Sequence, residues 1–134
     1  MLRHPANTAI ALEQDPARAA RAARNAVELG VPNFTIIQAR APDGMVNLPT
    51  PDAVFIGGGA RSVGVVEAGW AALRSGGRMV INSVTLETDT ALFKAHATYG
   101  GTLTRLSVER LDKVGQLHAF RPAMTVTQWA AVKP

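Results

Sequence analysis

An α/β fold, a parallel sheet finished by an antiparallel strand pair, is what this sequence predicts, and three observations carry the prediction. Short apolar strands alternate with helix-period segments up to about residue 100, the alternation that places helices over both faces of a parallel sheet. Beyond that point two strand-like stretches follow one another with no helix between them, which adds an antiparallel edge. The third observation is "PDAVFIGGG" (51–59), an apolar strand that runs straight into three glycines. Glycines in a row lose much chain entropy on ordering. They are tolerated where a ligand or another backbone approaches closely.

The elements follow in order. "NTAIALEQD" (7–15) reads as a short strand ending in acidic and amide residues. Asp15 is placed to cap a helix with Pro16 at its first position, and Gly30 stops that helix after Leu29. Within it Ala17, Ala20, Ala23 and Val27 keep an apolar three-to-four spacing, while Arg18, Arg21 and Arg24 line a separate, wet face. "NFTIIQA" (33–39) is a second strand and "DAVFIG" (52–57) a third, joined by an irregular segment holding Pro42, Pro49 and Pro51. From Arg61 to Ser75, Val63, Val66, Trp70 and Leu73 recur at helical spacing, and Gly76 and Gly77 close the helix. "GRMVINSV" (77–84) is a fourth strand. "LETDTALFKAHATY" (86–99) is a helix with Glu87 and Asp89 near its positive end and Gly100 after its last turn. "TLTRLSVERL" and "AMTVTQWAAV" are then the two terminal strands, joined by a long loop.

Composition narrows the classes. The 134 residues suffice for one packed core, and 47% hydrophobic with 18% charged residues is a globular balance. No apolar run reaches the roughly 18 residues of a membrane span, and no signal-peptide core opens the chain. The absence of cysteine excludes a disulfide scaffold, Cys-ligated zinc and a thiol nucleophile. A cytoplasmic location follows as the expectation. The net charge of +4, with eleven arginines among fourteen basic residues, favours an anionic partner. The arginines are scattered and aromatics are only 5%, unlike the basic patches with stacking rings of single-strand nucleic-acid binders.

In an open α/β sheet ligands lie beyond the carboxyl ends of the strands. Those ends are Glu13-Gln14, Arg40-Ala41, Gly57-Gly58-Gly59 and Asn82-Ser83. A carboxylate ending a strand suits a ribose diol, although Glu13 also reads as a solvated residue at a helix entry. The three glycines form neither G-x-G-x-x-G nor a P-loop, and a tight turn with positive φ is their alternative reading. His4, His96 and His118 lack metal-ligand spacing, so no metal site is predicted. "LHAFRPAM" (117–124) places His118 and Arg121 in one expected loop. Ser83 lacks the G-x-S-x-G context of an activated serine.

Four stretches, "PDAVFIGGG", "LRSGGRMVINSVTLET", "GGTLTRLSVERLDKVG" and "LHAFRPAMTVTQW", together resemble the decarboxylating precorrin-6Y methyltransferases of cobalamin biosynthesis. The likeness is to the module that methylates carbon 15 of the corrinoid precursor, and it runs from about residue 9 to the C-terminus. It implies a class I S-adenosylmethionine-dependent methyltransferase fold, Rossmann-like, over a single domain of residues 1–134. It implies S-adenosyl-L-methionine as cofactor, held by Glu13, Gln14, Arg40, Ala41, Gly57 and Gly58. Glu13 would hold the ribose and Ala41 the adenine through its main chain. The implied substrate is a tetrapyrrole, met by Gly59, Arg61, Asn82, His118 and Arg121, with the catalytic residue unassigned. A homo-oligomer without nucleic-acid or membrane partners is expected. The resemblance also implies that a first strand, its glycine-rich loop and the helix after it are missing, with "MLRHPAN" as the tail of that helix. On that reading the chain alone is expected to be poorly soluble and not to methylate. Two other classes compete: a methyltransferase of RNA or DNA, and a non-catalytic, methyltransferase-like piece that works only when docked to another module.

Overall fold

The computed structural model describes residues 6–134. His4 and most of the expected helix tail lie outside the described residues. Contacts divide the chain into two compact units, Met1–Leu48 and Pro49–Pro134.

In the first unit, β1 (Ala9–Leu12) and β2 (Phe34–Ile37) pair in parallel from Ala9↔Phe34 to Leu12↔Ile37, with α1 (Pro16–Glu28) between them in sequence. The Asp15 carboxylate accepts from the Arg18 amide at 2.8 Å and Pro16 opens the helix, as its cap chemistry predicts. Gly30 at φ +63° follows its end. The expected apolar face is corrected. Ala19 is buried and Ala22 and Ala26 are half-buried, whereas Ala17, Ala20, Ala23 and Val27 are exposed. At about 100° per residue Ala19, Ala22 and Ala26 fall within about 60° of one another, on a stripe beside that of Ala20, Ala23 and Val27. In a helix this rich in alanine the two stripes are equally apolar, and spacing alone does not choose between them. Arg21 and Arg24 are exposed, as expected.

The second unit is built on a four-stranded sheet ordered β3 (Ala53–Ile56), β4 (Arg78–Ser83), β8 (Val126–Val132), β5 (Thr102–Leu106). β3 and β4 are parallel, and β8 runs antiparallel to both β4 and β5. The terminal strands thus form the expected antiparallel edge. Cross-strand pairs Met79↔Ala131, Ile81↔Trp129 and Ser83↔Thr127 share the buried face, the period-two pattern of strands with one face in a core. α2 (Val65–Ala72) and α3 (Leu86–Tyr99) supply Val65, Val66, Leu92 and Ala95 to that core. α2 comes in through Gly69: a Cβ there would lie 2.6 Å from Met79 Cε. Trp129 is fully buried beneath the stacked rings of Trp70 and Tyr99 and donates its indole N–H to the Gly100 carbonyl at 2.9 Å.

Two further expectations are corrected here. α2 begins only at Val65, after Gly64 at φ +80°, so Val63 lies outside it and is 96% exposed. "TLTRLSVERL" is not one strand and the long loop after it is not irregular. The chain leaves the sheet after Leu106 and forms a hairpin of β6 (Glu109–Val114) and β7 (Leu117–Pro122), then returns as β8. All twelve hairpin residues are exposed.

Candidate functional site

The carboxyl end of the β1–β2 pair carries Glu13, Gln14, Arg40 and Ala41. The Glu13 amide donates to the Ile37 carbonyl at 3.1 Å, which continues the ladder by one residue and places Glu13 at the strand edge. Its Oε1 accepts from the Asp15 amide at 2.8 Å and from Arg18 at 3.0 Å. The Asp15 amide first, and then Arg18, hold the Glu13 carboxyl below the usual carboxylate range. Oε2 has no partner among the described residues, so an ionised oxygen is left to accept from outside the chain. Gln14 and Arg40 are exposed and Ala41 is half-buried.

In the second unit, Gly57-Gly58-Gly59 and Asn82 lie at adjacent strand ends, because Ile56 pairs with Ile81. The three glycines differ in kind. Gly59 has φ +81°, so its backbone alone demands glycine. Gly58 has no such φ, and a Cβ built on it meets no atom of the protein within 4 Å. At Gly57 a Cβ would lie 3.0 Å from a ring atom of Phe55, an exposed side chain with room to shift. The tight-turn reading therefore accounts for Gly59 and leaves Gly57 and Gly58 to the close-approach reading. Arg61, just beyond, is exposed and forms no ion pair or hydrogen bond among the described residues. The Asn82 side-chain carbonyl accepts from Gln128 Nε2 at 2.9 Å across the β4–β8 pair, leaving its amide N–H groups available.

His118 and Arg121 are not in a loop. Both lie on β7, three positions apart, so they point to opposite faces of the hairpin. Arg121 is ion-paired with Asp112 of β6 at 3.0 Å.

A cluster that motif reading passes over sits next to Asn82. Asp89, in the first turn of α3, is buried; its Oδ2 accepts from Arg105 at 2.9 Å and from Thr127 at 3.1 Å. Arg105 Nε also donates to Thr127 Oγ1 at 3.1 Å. The Ser83 hydroxyl donates to the Thr85 carbonyl at 2.9 Å and accepts the Thr85 amide, while Thr85 caps α3 through the Thr88 amide. The group ties the turn after β4 to α3, β5 and β8. Burial opposes ionisation of Asp89, but the nearby Ser83 hydroxyl and the hydrogen bonds from Arg105 and Thr127 outweigh it and hold its carboxyl below the ordinary range. Because the folded pKa is depressed, this stabilisation is fully present above the unfolded value of about 3.9. It is lost as pH falls through the folded value. Asp89→Asn is expected to lower neutral-pH stability by about 1–3 kcal/mol, a range kept modest because Arg105 is 60% exposed. The variant should also lose stability less steeply than wild type below about pH 4. Urea unfolding of both proteins across that range checks it; identical slopes would remove the depressed carboxylate.

The order of elements and the antiparallel β4–β8–β5 edge fit a class I methyltransferase fold. An S-adenosylmethionine-dependent O-methyltransferase from Thermotoga maritima matches with a TM-score of 0.70 over 99% of this chain and 54% of that one, at 17% identity, a likeness of fold alone. The family is more specific. A family model described as a precorrin methyltransferase domain matches residues 1–133. The chain is 46% identical over 133 residues to the precorrin-6Y C(5,15)-methyltransferase (decarboxylating) of a Sinorhizobium species, covering 99% of this chain and 32% of that protein. The C-terminal domain of precorrin-6Y C5,15-methyltransferase from Rhodobacter capsulatus has a TM-score of 0.86 at 33% identity, covering 94% of this chain and 68% of that one. The chain belongs to the precorrin methyltransferase family, and spans about a third of the length of the curated relatives it matches.

Proposed function

We propose that this chain carries the S-adenosylmethionine-dependent methylation of a precorrin macrocycle at carbon 15, with decarboxylation of an acetate side chain, in cytoplasmic cobalamin biosynthesis. The family match over residues 1–133 is the observation that carries this reading. The strand-end residues support it. Glu13, ionised and with Oε2 unpartnered, suits the hydroxyls of a ribose, with Gln14 and Arg40 beside it and Ala41 offering main-chain groups to an adenine. Gly57 and Gly58 give bare backbone to the methionine end of the cofactor, and Gly59 continues that surface toward the macrocycle. When bound, the cofactor supplies an electrophilic methyl group on a sulfonium. The charges balance without a further proton, since one methyl cation equivalent is gained while one carboxylate leaves as carbon dioxide.

Among the residues assigned to the substrate, Arg61 is the unpaired cation and is fitted to hold a macrocycle carboxylate. Asn82 offers amide donors. His118 and Arg121 would act from opposite faces of the hairpin, so they meet different substrate groups. Nucleic acid and membrane play no part in this reading, and the working form is a homo-oligomer.

The test is mass spectrometry of a precorrin incubated with labelled S-adenosylmethionine and the protein joined to the first strand, glycine-rich loop and helix that the resemblance implies. The expected product has gained one labelled methyl group and lost one carboxyl. Labelled RNA with an unchanged tetrapyrrole would replace this reading by the nucleic-acid one. Two variants refine the roles. Glu13→Ala is expected to weaken S-adenosylmethionine binding about tenfold or more, by loss of charge-assisted hydrogen bonds. An unchanged calorimetric affinity would take Glu13 out of the site. Arg61→Ala is expected to raise the Michaelis constant for the macrocycle about tenfold while leaving cofactor affinity alone. An equal fall in cofactor binding would assign it elsewhere.

A further inference from the structure

Arg105 differs from the other paired cations in the acid it meets. The Asp89 side chain is 9% accessible, whereas Glu13, Asp112 and Asp52 in the other three described ion pairs range from 28% to 83%. Three side chains close a ring there: Arg105 Nη2 donates to Asp89 Oδ2, Arg105 Nε to Thr127 Oγ1, and Thr127 Oγ1 to the same Oδ2. Such a ring is a poor route to stability, since well-packed apolar residues often replace a buried ion pair without loss. Here the second carboxylate oxygen, Oδ1, is also buried with no hydrogen-bond partner among the described residues, a cost the fold bears. What the ring does fix is the guanidinium.

A guanidinium carries five N–H donors in a rigid planar fork. The ring uses its side edge, one N–H on Nε and one on Nη2. The end edge, formed by Nη1 and the second N–H of Nη2, has no partner among the described residues, and the side chain is 60% accessible. Two parallel N–H groups of this kind match a carboxylate bidentately. The ring sets their direction before any ligand arrives, so binding sacrifices little side-chain freedom. An open cavity of about 200 Å³ adjoins the group, lined by Phe93, Leu103, Thr104, Arg105 and Thr127. Phe93 lies one turn after Asp89 on α3, and Leu103 two residues before Arg105 on β5. Apolar walls beside a charged fork suit a carboxylate on a short aliphatic arm.

Arg105 also stands at the ligand side of the sheet. It pairs in register with Thr127, and Thr127 with Ser83, the residue after Asn82. β8 is antiparallel to both β4 and β5, so β5 runs parallel to β3 and β4 and Arg105 lies near its carboxyl end. The order β3-β4-β8-β5 puts three strand spacings, about 14 Å, between β5 and the strand that ends in the glycines. We propose, resting on the precorrin reading above, that Arg105 binds a carboxylate arm of the macrocycle remote from the methyl donor, with Asp89 as the positioning residue that holds its guanidinium. The arm is one the product keeps. Loss of carbon dioxide leaves the bonding electrons on carbon, and a bidentate fork stabilises the carboxylate before reaction, which raises that barrier.

Steady-state kinetics with a precorrin and S-adenosylmethionine test this, on the same joined protein. The contact is made equally before and in the transition state, so its loss is read in KM. Arg105→Gln is expected to raise the macrocycle KM about tenfold or more, with kcat within about threefold and calorimetric cofactor affinity unchanged. Arg105→Lys keeps a cation beside Asp89, which secures folding, but loses the fork and should still raise KM at least about fivefold. Asp89→Asn, assayed where circular dichroism shows it folded, should raise KM about threefold or more with Arg105 intact. A merely structural role would lower stability and leave KM alone. A wild-type KM in Arg105→Lys, or variants whose kcat or cofactor affinity falls as much as KM rises, would overturn the proposal. A wild type that methylates no precorrin would overturn the reading beneath it, and the proposal with it.

Discussion

Trp129→Ala is expected to remove about 3–5 kcal/mol of unfolding free energy, the range for deleting a large aromatic from a core. Trp129 is fully buried at the centre of β8, faces Ile81 across the β4 pair, and lies with Trp70 and Tyr99 at ring-centroid distances of 5.9 and 6.3 Å. Its indole N–H satisfies the Gly100 carbonyl where α3 ends. The truncation leaves a cavity on the sheet and an unpaired carbonyl at a turn that cannot move aside. At Gly101, with φ +87°, even a Cβ would lie 2.4 Å from the Ala130 carbonyl oxygen. Domains are stable by only about 5–15 kcal/mol, so the variant should be largely unfolded or unfold at much lower urea. Trp129→Phe, which keeps most of the volume, should retain more than half of the lost stability. Urea titrations in which Trp129→Ala unfolds at the wild-type midpoint would mean that the core is centred elsewhere.

Most of the element order was legible in the sequence, and the reason is local. α3 runs over Leu86–Tyr99, the expected span, because a Thr85 cap, acidic first turn and terminal glycine mark both its ends. β4 and β8 carry the alternation of a sheet with one buried face, so their boundaries fall within three residues of expectation. The buried face of α1 was misplaced because the Ala19–Ala22–Ala26 and Ala20–Ala23–Val27 stripes are equally apolar in the sequence. The β6–β7 hairpin was hidden for a different reason. Neither of its faces is buried, so nothing selects alternating hydrophobicity along it, and only the Gly115 turn announces it.

The candidate site divides the same way. Glu13, Ala41 and the glycines were legible as candidates because topology places strand carboxyl ends at the ligand side of an α/β sheet, whatever the side chains do. The Asp89–Arg105–Thr127 cluster was not, since its members are 16 and 38 residues apart. Asp89 also already had an adequate local explanation, as an acid at the positive end of a helix. Its burial is a tertiary fact.

The account rests on the claim that the chain end of β3 is bare backbone because a ligand passes over it, and Gly58 tests this most directly. Its backbone does not need glycine and no protein atom would meet a Cβ there. Gly58→Val should leave unfolding free energy within about 0.5 kcal/mol of wild type, as substitutions away from packed features usually do. Against a ligand lying on that backbone, the branched side chain overpacks, which costs about 1–3 kcal/mol. Calorimetric titration of S-adenosylmethionine into both proteins is therefore predicted to show binding weakened by at least about tenfold in Gly58→Val, with urea unfolding unchanged. Equal affinity in the two folded proteins would contradict the claim and return all three glycines to the geometry of the turn.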